Sequence, residues 1–157
     1  MTDWQSCWKV LPPTLAISCS NTTEHRDVSS HKPKTSLNTR SFGKIQEALA
    51  ARHLRKQGLK LVQSNYQCRA GEIDLVMLDP QCYLVFVEVR YRRCNTFGSA
   101  IASISVRKQQ KLRRAASHFL LSHSQFSHLA CRFDVVGINP STKTTTLNFD
   151  WIKNAFI

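Results

Sequence analysis

The most hydrophobic run in the chain, Leu-Val-Phe-Val-Glu-Val at residues 84–89, carries one carboxylate in its interior. The β-branched and aromatic residues around it predict a buried strand at residues 83–90. A charge inside such a strand is costly unless it is paired, hydrogen-bonded or bound to a metal ion. Glu88 therefore requires a fold that brings a partner to it.

The pattern of the other elements predicts an α/β domain at residues 43–157 with a mixed sheet of four to five strands. Periodicity predicts helices at 43–57 and 106–121, strands at 59–67, 73–78, 83–90 and 132–138, and a short last strand at 144–148. Three strands joined by short links indicate an antiparallel meander, and a helix before the fourth strand indicates a parallel crossover. Residues 1–42, rich in Ser, Thr and Asn, have the composition of a disordered N-terminal tail.

Alternation along the two central strands predicts a carboxylate site. Successive side chains of a strand point to opposite faces, so Glu88 and Arg90 share one face of their strand, and Glu72 and Asp74 share one face of theirs. If the two strands pair, Asp74 and Glu88 converge. Two such carboxylates suit Mg²⁺ or Mn²⁺, which prefer oxygen ligands and water.

A third acid, Glu47, lies in the opening turn of the first predicted helix. It shares a helical face with Ala51 and Leu54, which directs it toward the core. Each acid also has a structural interpretation that stays open. Glu47 is favoured by the helix dipole near a helix N-terminus, and Glu88 with Arg90 forms a salt bridge on a half-buried strand.

The charge balance favours a polyanionic partner. The chain has 22 Lys and Arg against 10 Asp and Glu, a formal net charge of +12, and such an excess binds phosphates through counterion release. Basic residues recur along the second helix and beside the strand acid: Arg92, Arg93, Arg107, Lys108, Lys111, Arg113, Arg114 and His118. A solvated helix face is the alternative interpretation of the helical set.

Six isolated cysteines without a C-x-x-C pair argue against a zinc site and a disulfide framework, and predict reduced thiols in a cytoplasmic protein. The chain has no apolar run of the roughly 20 residues that a membrane helix needs, so no membrane partner is expected. Asp134 is interpreted as a structural acid paired with a neighbouring arginine, and Trp151 and Phe156 as packing residues. The oligomeric state stays open.

Several motifs follow one another in the order of a known family: Gly43-x-x-x-Glu47-x-x-Ala50, Gly71-Glu72-Ile73-Asp74-Leu75, Phe86-Val87-Glu88-Val89-Arg90, Phe97-Gly98-x-Ala100, Arg107-Lys108-Gln109 and Arg132-Phe133-Asp134-Val135-Val136. Together they resemble the YraN-like family of uncharacterised proteins. That family is similar to a branch of the PD-(D/E)XK endonuclease superfamily related to archaeal Holliday-junction resolvases. The resemblance covers residues 43–157 and none of the tail.

The resemblance implies a restriction-endonuclease-like core and a metal-dependent nuclease acting on DNA, including branched or damaged DNA. It implies that Asp74 and Glu88 bind Mg²⁺ or Mn²⁺ and that Glu47 is the helix-borne acid. At the catalytic lysine position of the pattern this chain has Arg90, which effectively cannot lose its proton. Two hypotheses therefore stand: a Mg²⁺-dependent endonuclease, and a non-enzymatic nucleic-acid-binding module that kept the fold. A partner protein with an acidic surface is a third.

Overall fold

The computed structural model describes residues 38–92, 104–141 and 146–156. Its elements are α1 (Asn38–Lys56), β1 (Lys60–Cys68), β2 (Gly71–Leu78), β3 (Tyr83–Tyr91), α2 (Val106–Ser122), β4 (Ala130–Pro140) and β5 (Leu147–Phe156). A single 3₁₀ turn, Ser124–Phe126, follows α2. The predicted α/β class is confirmed, with a five-stranded mixed sheet and two helices.

The five strands lie side by side in their order along the chain. The pairs β1–β2, β2–β3 and β4–β5 are antiparallel, and β3 and β4 are parallel, with α2 in the connection between them. The predicted meander and the predicted parallel crossover are therefore both present. The parallel ladder places Glu88 beside Val135, in the middle of the sheet.

Each helix covers its own hydrophobic cluster. The cluster under α1 joins Ala50 and Leu54 to sheet residues such as Val85 and Val87. The cluster under α2 contains Phe86, Val135, Leu112 and Phe119. Adjacent residues of β3 thus pack against different helices, because successive strand side chains point to opposite faces. The centre of β3 is consequently buried from both sides.

The ends of two elements differ from the prediction. Helix α1 begins at Asn38, inside the stretch predicted as tail, while residues 1–37 lie outside the described residues. The last strand runs from Leu147 to Phe156, so the prediction of a short strand at 144–148 is wrong. The side chains of β5 are mostly exposed or half-buried, as on an edge strand, and carry little hydrophobic signal.

The cysteine prediction holds only in part. Cys68 and Cys131 are free thiols, whereas Cys82 is disulfide-bonded, so the expectation of six reduced cysteines is wrong at Cys82. Within the described ranges, no helix is long and apolar enough to cross a membrane.

Candidate active site

The site lies where β2 and β3 stop pairing. Their ladder runs from Leu78↔Leu84 to Leu75↔Val87, and Asp74 and Glu88 are the next residues beyond its end. Oδ2 of Asp74 accepts a hydrogen bond of 2.7 Å from the backbone N–H of Val89. This bond replaces a missing ladder bond and holds the Asp74 carboxylate against β3. The structure thus brings Asp74 and Glu88 together, as the strand pattern predicts.

Glu88 is a buried carboxylate between two cations. Its residue is 3% exposed. Oε1 lies 3.2 Å from Nη2 of Arg90, and Oε2 lies 3.1 Å from Nζ of Lys108. Among the described residues, Lys108 is the partner that Oε2 meets. One buried carboxylate oxygen is therefore left with unused acceptor capacity.

Lys108, predicted to bind nucleic acid as part of the basic face of α2, also takes part in the site. Its ammonium group lies 3.8 Å from Oε1 of Glu72 and 3.1 Å from Oε2 of Glu88. Ser105 caps the helix and accepts a hydrogen bond from the Lys108 N–H, which fixes Lys108 in the first turn. The sequence could have revealed this cap but not the direction of the side chain.

A glycine at the start of β2 allows α2 to come this close. Gly71 has a φ of +154°, and a Cβ atom there would lie 3.3 Å from the carbonyl oxygen of Lys111. The backbone of α2 therefore packs directly on the backbone of β2. Lys108 lies one helical turn before Lys111, so this contact carries its amine over Glu72 and Glu88.

Burial and mutual repulsion raise the pKa values of the site carboxylates. Desolvation is the largest cause for Glu88, followed by the charge of Asp74, and together they raise the pKa of Glu88 to about 7 despite Lys108 and Arg90. Desolvation also raises the pKa of Asp74, against the lowering effect of the Val89 N–H bond. Carboxylates held in this state favour any added positive charge, such as a proton or a metal ion.

Glu47 enters the same cavity from α1. The cavity has a volume of about 260 Å³, and Glu47, Asp74, Glu88, Arg90 and Lys108 all line it. Desolvation raises the pKa of Glu47, a hydrogen bond from Asn65 lowers it, and the charge of Asp74 raises it. Oε2 of Glu47 is buried without a hydrogen-bond partner. The three predicted acids and the predicted arginine therefore lie around one cavity.

The donor set fits a hard divalent cation. Within the part of the chain that the structure describes, one carboxylate oxygen of Glu47 has no hydrogen-bond partner, and Oε2 of Glu88 meets only Lys108. The carboxylates of Glu72 and Asp74 line the same cavity and offer further oxygen ligands. Among the described residues, no three acidic, His or Cys side chains are grouped closely enough to hold a metal between them. Asp74 and Glu88 remain as a pair, and Mg²⁺ is commonly held by one or two carboxylates together with water and substrate phosphates.

The other basic residues predicted to bind nucleic acid separate into groups. Arg107, Lys111 and Arg114 are exposed on α2, as predicted. The backbone N–H of Arg92 donates to the Ile138 carbonyl, which extends the sheet, and Arg93 lies outside the described residues. His118 was expected on the basic face, but its Nδ1 lies 2.6 Å from the Tyr66 hydroxyl. It therefore faces β1 rather than solvent.

Asp134 belongs to a separate, structural network. It is fully buried, and its carboxylate accepts hydrogen bonds from Arg132 Nε, Trp151 Nε1 and the Asn154 backbone N–H. Arg132 also pairs with Asp79 at 2.8 Å. The predicted arginine pairing of Asp134 is confirmed. Trp151 and Phe156 pack as predicted, with Phe156 stacked on Phe133 at 4.9 Å.

Comparison with known proteins identifies the family. Residues 46–138 match the family described as Uncharacterised protein family UPF0102. A UPF0102 protein of Stutzerimonas stutzeri is 51% identical over 118 residues, covering 75% of this chain and 96% of the relative. A relative from Alcanivorax borkumensis is 45% identical over 117 residues, covering 74% of this chain and 92% of the relative. A relative from Saccharophagus degradans is 50% identical over 114 residues, covering 73% of this chain and 91% of the relative. The matched region contains all of the site acids and Lys108. The chain therefore belongs to the UPF0102 family.

Proposed function

We propose that this protein is a metal-dependent endonuclease that hydrolyses phosphodiester bonds of DNA, branched or damaged DNA included, with a PD-(D/E)XK-type site. One observation carries the proposal. Asp74 and Glu88, both with raised pKa values, line a single cavity with two cationic side chains. Carboxylates with strongly perturbed pKa values cluster at functional sites, where a cleft and neighbouring charges produce the shift.

Asp74 and Glu88 are the residues that would hold Mg²⁺ or Mn²⁺. A bound divalent ion lowers the pKa of its water and stabilises the charge that develops on the phosphate. The hydrogen bond from Val89 to Asp74 fixes the orientation of one ligand, and the ion pair with Arg90 fixes the other. The chain thus supplies a preorganised pair of oxygen ligands.

Lys108 and Arg90 provide the positive charge on the substrate side of the cavity. Both are partly exposed, at 23% and 34% of their side chains, so each can contact solvent and a ligand. A guanidinium and an ammonium group bind the non-bridging oxygens of a phosphate and stabilise its transition-state charge. Glu47, which has an unpartnered oxygen in the same cavity, is the acid available to accept a proton from the attacking water.

Lys108 also bears on the second candidate, a non-catalytic nucleic-acid-binding module. That alternative is favoured by Arg90, which stands at the lysine position of the nuclease pattern and cannot act as a base. The structure supplies a lysine at the same carboxylate from another element, since Lys108 contacts Glu88 from α2. An amine near Glu88 is therefore present without a lysine at position 90, which supports the endonuclease over the binding module.

Cleavage of labelled branched, flapped and linear DNA with Mg²⁺ or Mn²⁺ tests the proposal. We expect the wild type to cut at least one of these substrates and Asp74→Asn to lose at least 100-fold in rate, since loss of a metal ligand removes the ion that stabilises the transition state. Lys108→Ala should also lose activity. Asp150→Asn is the matched control, because Asp150 is an exposed carboxylate on β5 that does not line the cavity.

Two outcomes contradict the enzyme. Equal activity in the wild type and Asp74→Asn would show that the cleavage comes from elsewhere. Activity that appears only in Arg90→Lys would show that the natural chain is the degenerate module and that Lys108 does not replace the missing lysine.

A further inference from the structure

Two more cavities adjoin the carboxylate cavity, one at each end. The first, of about 360 Å³, shares Glu72 and Lys108 with it. The second, of about 220 Å³, shares Glu47 with it. Neighbouring cavities share these lining side chains, so the three lie in a row, which we call the groove. The groove passes from the side of α2, across the end of the β2–β3 ladder, to the side of α1.

The groove has cationic side chains at both ends and carboxylates in the middle. Lys111 is exposed at the α2 end, and Lys44 and Arg55 are exposed at the α1 end. The carboxylates lie between these ends. A linear ligand with regularly spaced negative charges that lies along the groove would contact a cation at each end and the proposed cleavage centre in the middle. A polynucleotide backbone has this pattern of charge, and lysines bind it without regard to sequence.

An exposed aromatic ring lies at the centre of the groove. Phe42 lines the carboxylate cavity and is 41% exposed. Its ring meets Tyr91 edge-on, with centroids 5.0 Å apart and planes at 85°. Because the ring lines the cavity and is partly open to solvent, a bound ligand can reach it. It is a platform of the kind on which nucleic-acid bases stack.

Base stacking on Phe42 requires an unpaired nucleotide, because in a duplex the faces of the bases are covered by their neighbours. We propose that the groove binds an unpaired DNA strand, as found in a flap or a single-stranded gap, with one base against Phe42 and the flanking phosphates on Lys111 and Lys44. This rests on the proposed function for its substrate class and specifies which form of DNA the site takes.

Fluorescence anisotropy on the full-length chain tests the inference without any metal or cleavage. A labelled oligothymidylate is compared with a duplex of the same length, both in EDTA. We expect tighter binding of the single strand. Phe42→Ala should weaken single-strand binding roughly 5- to 150-fold, the range of one base–aromatic stack, and leave duplex binding unchanged.

The salt dependence of single-strand binding tests the contribution of the cationic side chains at the two ends of the groove. Each phosphate contact to a single strand contributes about 0.7 to the slope of log affinity against log salt. Lys44→Ala with Lys111→Ala should therefore reduce that slope by about 1.4. Lys153→Ala is the matched control, because Lys153 lies on β5 over the Trp151 ring and does not line the groove.

Equal or tighter binding of the duplex, or single-strand binding unchanged in Phe42→Ala, would overturn the inference. Melting temperatures of the variants show that each is folded, and Phe42→Leu provides a second variant that keeps an apolar side chain against Tyr91 but cannot stack. The anisotropy experiment measures binding and not cleavage, so its result and the result of the cleavage assay can fail independently. Binding through Phe42 without cleavage in Mn²⁺ would refute the enzyme alone, and cleavage without a Phe42 effect would refute the strand path alone.

Discussion

At the scale of the residue, Glu88 is the carboxylate of the site whose ionisation most destabilises the fold. It is 3% exposed, next to a second carboxylate, and only partly compensated by Arg90 and Lys108, since its pKa is still raised to about 7. A residue kept only for stability would be expected to have the opposite shift, because a good salt bridge lowers the pKa of an acid. Glu88 therefore resembles a functional group held at a cost to the fold.

This cost gives the first prediction. The pKa of Glu88 is about 7 in the folded chain against 4.5 for an ordinary glutamate, so the folded state holds the proton more tightly and loses stability as the pH rises from 4.5 to 7. Full ionisation costs up to about 3 kcal/mol. In EDTA, Glu88→Gln should raise the free energy of unfolding at pH 8 by about 1–3 kcal/mol and change it little at pH 4.5. Urea unfolding at both pH values measures this, and equal destabilisation at both would contradict it.

Lys108 gives a second prediction at the same scale. Its charge lowers the pKa of Glu88, against desolvation and Asp74. Removing it in Lys108→Ala should move the Glu88 pKa further up, so the pH at which Mn²⁺ binding reaches half its maximum should rise relative to the wild type. Lys108→Arg keeps the charge and should keep the midpoint. Calorimetric titration with Mn²⁺ across pH 6–9 measures the midpoint, and a downward move in Lys108→Ala would be inconsistent with the ion pair.

At the scale of the element, the hydrophobic pattern predicted most of the fold and the convergence of Asp74 with Glu88. The buried residues of β3 and the stripe of α2 are long enough runs to define their elements, and the pairing of β2 with β3 then places Asp74 beside Glu88. The direction of Lys108 could not be predicted, because it depends on the backbone contact of Gly71 with Lys111 between elements far apart in sequence. The bounds of β5 were missed for another reason. That strand is anchored by polar bonds from Trp151 and Asn154 to Asp134, which leave no periodic pattern.

The anchoring of β5 gives the third prediction. Asp134 is fully buried and joins Arg132 of its own strand to Trp151 and Asn154 of β5. Asp134→Ala should lower the free energy of unfolding by about 3–5 kcal/mol, because Arg132 Nε, Trp151 Nε1 and the Asn154 N–H lose their shared acceptor, while Arg132 keeps its pair with Asp79. Asp150→Asn removes the charge of an exposed acid of the same sheet but keeps an acceptor for Asn139, and should stay within about 0.5 kcal/mol. Thermal unfolding compares the two, and a mild effect of Asp134→Ala would show that the network is not structural.

At the scale of the whole molecule, a basic chain surrounds an acidic centre. The formal net charge is +12, yet the cavity at the end of the β2–β3 ladder collects four acids: Glu47, Glu72, Asp74 and Glu88. The excess positive charge would attract a polyanion over a distance of about one Debye length, and a cation bound at the acidic centre would reduce the repulsion between that centre and the polyanion. This division of charge supports the proposed metal-dependent cleavage, because binding of a polyanion alone does not require an acidic centre.

The central claim is that Asp74 and Glu88 form a cleaving centre. It is tested most directly by the single-turnover rate of Mn²⁺-dependent cleavage of a flapped DNA at pH 8, measured for the wild type and for Glu88→Gln. Glutamine keeps the size of the side chain and removes only its charge. We predict cleavage by the wild type and a loss of at least about 100-fold in Glu88→Gln, the scale of a lost transition-state contact. Equal rates, or no cleavage by the wild type, would contradict the claim.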